Sequence, residues 1–254
     1  MLPRPKKRFG QHFLTDRHYL ERIAAAIEAK PGDSMVEIGP GTGVLTAALA
    51  RSIERLHVVE IDRELAKALS TRFPDTKVAV HQADALEFDF AALPAPLRVV
   101  GNLPYNISTP ILFRMAEIAE RLSDCVFMLQ KEVVERMVAS PATRDYGRLS
   151  VMLQYRFAMA LVLRVPPGAF TPPPKVDSAV VRMKPLGEDR PRARDDERFA
   201  AIVTAAFSQR RKTLRNALRA CAGEQAFATT GIDPRRRGET LGVAEFIALA
   251  DATS

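Results

Sequence analysis

Met35-Val36-Glu37-Ile38-Gly39-Pro40-Gly41-Thr42-Gly43-Val44-Leu45 is the stretch on which the architecture turns. Met35 to Ile38 is apolar except for Glu37 and reads as a short buried strand. Glycines at alternate positions then form a turn, and Val44-Leu45-Thr46-Ala47-Ala48-Leu49-Ala50 continues with helical spacing. Glycine lets the backbone approach a ligand closely, and the helix N-terminus beyond it offers unpaired N–H groups. Strand, glycine turn and helix in that order open a nucleotide-binding α/β unit.

Three further strands follow, each ending in a residue with a use. Leu56-His57-Val58-Val59-Glu60 places an acid about 20 residues after the first glycine, where such units hydrogen-bond a ribose diol. Lys77-Val78-Ala79-Val80-His81 leads to Ala83-Asp84-Ala85, an acid placed for an adenine amino group. Leu97-Arg98-Val99-Val100-Gly101 runs into Asn102-Leu103-Pro104-Tyr105. That tetrapeptide combines an amide acceptor, a proline-fixed turn and an aromatic ring, which suits a planar amine such as a flipped base. By itself it is also an ordinary strand-to-loop turn. A nicotinamide dehydrogenase would share the glycine turn and Glu60 but has no need of the tetrapeptide. Glu37 beside the turn suits a ligand with a cationic amino acid part better than a pyrophosphate. The expected cofactor is therefore S-adenosylmethionine.

Elsewhere the pattern predicts helices over 16–29, 108–122 and 131–139, and a strand over 125–129. Strands over 162–165 and 176–183, joined by a proline-rich loop, close the sheet. The predicted fold is α/β: a Rossmann-like, mostly parallel sheet with helices on both faces over 1–184. Residues 1–15 lead into this domain, and the family resemblance given below implies that they contact the cofactor. A charged, proline-bearing linker over 185–196 leads to a small all-α C-terminal domain over 197–254, with helices at 199–208, 209–221 and 243–252.

A net charge of +7 points to a polyanionic partner rather than a small acid. Cys125 and Cys221 stand far apart, which favours a reducing compartment and no metal. No apolar run reaches the roughly 18 residues of a membrane helix, and no apolar segment follows the basic start, so the expected location is cytoplasmic. His18, His57 and His81 lack metal spacing. Phe13, Phe113 and Phe127 read as core, and Asp62 as a helix cap.

The chain resembles the small-subunit rRNA adenine N6,N6-dimethyltransferases of the bacterial KsgA type. The resemblance rests on Lys6-Lys7-Arg8-Phe9-Gly10-Gln11-His12-Phe13-Leu14, Glu37 to Gly43 and Asn102 to Thr109. It continues through Tyr146-Gly147-Arg148-Leu149-Ser150-Val151, Phe170 to Ser178 and Arg210-Arg211-Lys212-Thr213-Leu214-Arg215-Asn216. These stretches span nearly the whole chain. His12 stands where family members carry asparagine or histidine.

The resemblance implies a catalytic set of Asn102, Leu103, Pro104 and Tyr105, with Phe170 clamping the second face of the base. It implies cofactor contacts from Gln11, His12, Leu14, Glu37, Gly39, Gly41, Gly43, Glu60, Ile61, Asp84, Ala85 and Asn102. Lys6, Lys7, Arg8, Arg148, Arg210, Arg211, Lys212 and Arg215 are the expected RNA contacts. Arg211, Arg215 and Arg219 fall at i, i+4 and i+8, one face of a helix, which is either a solvated surface or a phosphate track. Arg235-Arg236-Arg237 is a weaker candidate. The implied activity is dimethylation of two adjacent adenosines in the 3′-terminal hairpin of 16S rRNA, within a small-subunit assembly intermediate, by a monomer without metal. Two alternatives remain at this level: the macrolide-resistance type of 23S rRNA adenine methyltransferase, and an rRNA-binding assembly factor whose methylation is secondary.

Overall fold

The computed structural model describes Lys6, residues 11–209 and residues 211–253. In chain order these form β1 (Phe13–Leu14), α1 (Arg17–Ile27), β2 (Ser34–Ile38), α2 (Val44–Leu49), β3 (Leu56–Glu60), α3 (Arg63–Arg72) and β4 (Val78–Gln82). There follow β5 (Leu97–Asn102), α4 (Ser108–Glu117), β6 (Leu122–Gln130), α5 (Lys131–Met137), α6 (Arg148–Gln154), β7 (Phe157–Val165), β8 (Phe170–Thr171) and β9 (Ser178–Pro185). The C-terminal part holds α7 (Asp196–Ser208), α8 (Leu214–Ala217), α9 (Glu224–Thr230) and α10 (Val243–Asp251).

The chain divides into two compact units, one of Met1–Val134 with Met159–Pro185, the other of Glu135–Ala158 with Leu186–Ser254. The expected boundary at 184/185 therefore captures only the later crossing. Tyr146, Val151 and Tyr155 belong to the second core, with Phe199, Ile202, Leu214, Phe227 and Phe246. Tyr155 stacks on Phe199 at 4.1 Å between ring centroids, and the Tyr146 hydroxyl donates to the Leu241 carbonyl at 2.8 Å. Such aromatic burial outweighs sequence proximity.

The main sheet has the order β4-β3-β2-β5-β6-β9-β7. β4, β3, β2, β5 and β6 pair in parallel, and β9 runs antiparallel to β6. From β2 the chain builds outward first through β3 and β4, then returns to β5 and β6, so the order reverses between β2 and β5. In open α/β sheets the crevice beyond the C-terminal ends of the strands at such a reversal is where ligands bind. The inner strands β2, β3, β5 and β6 are mainly apolar because both faces are covered, whereas β7 at the edge is exposed at alternate positions.

Arg98 is a charged exception in the middle of β5, only 8% exposed. Its guanidinium bonds Asp124 at 2.7 Å and Asp33 at 2.6 Å, and donates to the Ile27 and Glu28 carbonyls at 2.5 and 3.1 Å. It thus serves orphan carbonyls at the end of α1, where the chain turns through Glu28 at φ 54°. Asp16 caps the other end of α1 as expected, accepting from the His18 and Tyr19 N–H groups.

One sequence expectation fails in the C-terminal part. A helix over 209–221 does not form: α7 ends at Ser208, Thr213 is extended, and only Leu214–Ala217 is helical. The N–H groups of Leu214 and Arg215 donate instead to the Arg236 and Pro234 carbonyls at 2.7 and 3.0 Å, tying this segment to a distant loop. Helices α6 and α9 went unread, because short amphipathic turns carry little periodicity.

Candidate active site

At the reversal between β2 and β5 lies a cleft of about 790 Å³, counting its open mouth. Gln11, His12, Leu14, Glu37, Gly39, Gly41, Glu60, Ile61 and Asn102, all expected cofactor contacts, line it together.

The glycine turn has a backbone that L side chains rarely adopt, with φ of 67° at Gly39, 58° at Gly41 and 75° at Gly43. A Cβ on Gly41 would meet the Phe13 ring at 3.1 Å, and one on Gly43 would lie 2.6 Å from Leu69 Cδ2. Gly43 therefore works by packing the turn on α3 rather than by lining the cleft.

Glu60, at the end of β3, is 4% exposed. One oxygen accepts from Gly41 N–H at 3.2 Å and the other from Asp62 N–H at 2.9 Å. Each oxygen keeps a lone pair for a diol hydroxyl. Burial pushes its pKa up. Glu37 is 1% exposed and accepts from Thr46 Oγ1 at 2.7 Å. Burial raises its pKa to about 7, and the charge of Glu60 adds to the effect. Two buried carboxylates along one cleft fit a ligand bearing positive charge. Ile61, 46% exposed despite its size, gives the mouth an apolar wall.

The tetrapeptide follows β5 directly. Gly101, unremarked in the sequence, is required there: a Cβ would come 2.4 Å from the Ile38 carbonyl oxygen. The Asn102 amide nitrogen donates to the His12 carbonyl at 3.1 Å, which leaves the amide oxygen as the group to accept from a substrate. Leu103 N–H donates to Met128 O at 3.1 Å, and its side chain is buried. The Pro104 and Tyr105 carbonyls are used within the turn, by Ile107 N–H at 3.2 Å and Ser108 Oγ at 3.0 Å. The Tyr105 hydroxyl lies 2.8 Å from Ser178 Oγ.

Several expectations need correction. Phe170 is 4% exposed in the first core, its strand paired with β1 through Leu14, so its ring is not an open stacking surface. The ring stacked against Tyr105 is His12, at 5.7 Å and 27°. Asp84 lies outside the cleft lining, as do Leu103, Pro104 and Tyr105 beyond Asn102; one Asp84 carboxylate oxygen accepts from Leu86 N–H at 2.9 Å, and Ala85 is buried. Phe13, expected in the core, lines the cleft, as do Val126 and Met128 on one face of β6. Strand alternation implies that the last two share a face, but not which ligand the face meets.

Asp62 does cap α3, accepting from Glu64 N–H, but it also anchors the N-terminal segment. Lys6 Nζ lies 2.9 Å from its carboxylate and 3.3 Å from that of Glu64, and Gln11 Nε2 donates to it at 3.4 Å. Lys6 is thereby committed to carboxylates rather than presented to phosphate. Lys7, Arg8 and Arg210 lie outside the described residues. Arg211 and Lys212 are exposed, but no continuous helix carries Arg211, Arg215 and Arg219 on one face. Arg215 is paired with Glu224 at 2.9 Å, and Arg148 Nε donates to Thr204 Oγ1 at 3.0 Å. Arg236 is held by Glu245 at 2.5 Å, a structural role. Among the described residues no group of three or more His, Cys, Asp or Glu side chains could hold a metal ion. No described helix is long and apolar enough to cross a membrane.

Fold and site together define a Rossmann-like methyltransferase that uses S-adenosylmethionine. The description of the ribosomal RNA adenine dimethylase family matches residues 3–253, and the chain belongs to that family. It is 57% identical over 249 residues to the ribosomal RNA small subunit methyltransferase A of Laribacter hongkongensis, covering 97% of this chain and 95% of that protein. It is 56% identical over 248 residues to the protein of the same name from Aromatoleum aromaticum, covering 98% and 94%. Among solved structures, the 23S rRNA methyltransferase ErmE superposes with a TM-score of 0.73 at 28% identity, covering 95% of this chain and 99% of that one. A dimethyladenosine transferase from Plasmodium falciparum reaches 0.79 at 23% identity, with 94% and 96% covered, a likeness of fold.

Proposed function

We propose that this protein dimethylates N6 of two adjacent adenosines in the 3′-terminal hairpin of 16S rRNA, late in small-subunit assembly. Its relatives named as small-subunit methyltransferases support the choice of rRNA, at about twice the identity of the 23S enzyme, 57% against 28%. The observation that carries the reading of the site is the Asn102 to His12 hydrogen bond, which orients the amide at the cleft.

Bound in the cleft, the cofactor supplies an electrophilic methyl group on a sulfonium. Glu60 holds the ribose hydroxyls, Glu37 offsets the positive charge, and Gly39 and Gly41 let the backbone lie close. Adenine N6 is a weak nucleophile because its lone pair is delocalised into the ring. Asn102 Oδ1 and the Leu103 carbonyl accept its two N–H bonds and favour the pyramidal amine, aiming the lone pair at the methyl group. Tyr105 stacks on the extruded base, an interaction worth about 1–3 kcal/mol. The amine proton leaves to water after transfer. Arg211, Lys212 and Arg148 hold phosphates, which position the RNA without specifying it. The protein works in the cytoplasm as a monomer without metal.

The test uses small ribosomal particles from cells lacking the modification, beside naked 23S rRNA. Each is incubated with protein and S-adenosylmethionine, and nucleosides are analysed by mass spectrometry. N6,N6-dimethyladenosine in the small particle alone is the expected result. Product in 23S rRNA alone would replace this reading with the resistance type. Binding to the particle without methylation would favour an assembly factor.

A further inference from the structure

The two functional groups of the tetrapeptide are each held from outside it. Asn102 is fixed by the His12 carbonyl; Tyr105 has a different anchor. Its backbone is rigid, because the Pro104 and Tyr105 carbonyls close the turn onto Ile107 and Ser108. The ring can still tilt about its side-chain torsions, and stacking depends on that tilt. At its tip, the hydroxyl lies 2.8 Å from Ser178 Oγ. Ser178 is fully buried as the first residue of β9, opposite Gln130 of β6. Its neighbour Asp177 is tied down by Lys131 N–H, which donates to its carbonyl at 2.9 Å. The serine hydroxyl is thus a fixed point of the sheet, reaching a half-buried aromatic ring three residues beyond Asn102, which lines the cleft.

From this geometry we infer that Ser178 is a positioning residue for methyl transfer, holding the Tyr105 ring at the angle at which the extruded adenine stacks. The inference rests on the reading of Tyr105 as the stacking surface. Burial raises the Tyr105 pKa, so the phenol stays protonated and available for this bond at neutral pH. Its hydroxyl is engaged with Ser178, which assigns the residue to stacking rather than to proton transfer.

The test is single-turnover methylation of unmodified small ribosomal particles by the full chain, with S-adenosylhomocysteine affinity measured by calorimetry. Ser178→Ala and Tyr105→Phe remove the same bond from opposite ends, and each is expected to slow transfer about fivefold, the worth of one neutral hydrogen bond. Affinity for S-adenosylhomocysteine should not change. The double variant should be no slower than the slower single one, since both lose a single interaction. Losses that multiply would overturn the inference. So would wild-type rates for Ser178→Ala alongside strong loss in Tyr105→Ala, an outcome that spares the stacking role of Tyr105. A wild-type rate for Tyr105→Ala would remove both. Should Ser178→Ala fail to fold, Tyr105→Phe decides: a fivefold loss supports the anchor and an unchanged rate refutes it.

Discussion

Glu37 couples the cofactor cleft to pH. Its carboxyl titrates near pH 7 because burial disfavours the charged form more than the Thr46 hydroxyl can offset. A carboxyl whose folded pKa is raised adds stability at low pH that is lost as pH rises through the folded value. The cofactor-free protein should therefore lose stability between about pH 4.5 and pH 7, and Glu37→Gln should flatten that part of the profile in chemical denaturation. A cationic ligand favours ionised Glu37, so binding of S-adenosylmethionine should release protons near pH 6.5 and tighten as pH rises. Calorimetry in buffers of different ionisation enthalpy measures that release, which Glu37→Gln should abolish. At the acceptor end, Asn102→Ala removes the oriented amide and should cut transfer by about 100-fold or more while leaving S-adenosylhomocysteine binding nearly intact. Gly101→Ala forces a methyl onto the Ile38 carbonyl, 2.4 Å from an ideal Cβ, and should cost about 1–3 kcal/mol of stability in denaturant.

Elements are joined around the site by contacts far apart in sequence. The N-terminal segment is stitched on one side by Lys6 and Gln11 to Asp62, and on the other by the pairing of β1 with β8. His12 adds a third link, its Nδ1 lying 2.9 Å from the Pro172 carbonyl. Burial works against ionisation of Asp62, yet the hydrogen bonds from Lys6, Glu64 N–H and Gln11 hold its pKa below the usual carboxylate range. Asp62→Ala should lose the cap of α3, about 1 kcal/mol in denaturant melts, and also weaken cofactor binding by releasing Gln11 from above the cleft. Lys6→Ala leaves the cap in place, so it should change the calorimetric affinity more than the melt.

At the scale of the whole molecule, the net charge of +7 suits a polyanionic partner. Exposed Arg211 and Lys212 follow α7, and the backbone bonds from Leu214 and Arg215 bring that segment beside Pro234 to Arg236. Arg235 is paired with Asp233 at 3.1 Å and Arg236 is committed to Glu245. Electrostatic contacts release counterions, so affinity for the small particle should fall steeply with salt. Replacing Arg211 and Lys212 by alanine should lower the slope of log affinity against log salt by about 1 per lost phosphate contact. Binding of S-adenosylhomocysteine should be untouched.

The order of strands, the glycine turn and the acids Glu37 and Glu60 were legible in the chain alone, because each depends on local stiffness, periodicity or glycine geometry. Asn102 was legible for the same reason: it sits at the end of an apolar run and before a proline. Local pattern could not say that Arg98 would lie buried against Asp33 and Asp124, nor that Asp62 would hold Lys6, 56 positions away. It also extended one helix through 209–221, where long-range backbone bonds won, and it left residues 135–158 with the wrong core. Phe170 is buried where the family motif implies a clamp, because a motif records residue type and not burial. The sequence by itself thus determined the fold class, the glycine turn and the place of Asn102 at the end of its strand. Tertiary structure alone decided which groups hold them in place, since an anchor such as Ser178 for Tyr105 exists only once distant segments share a surface.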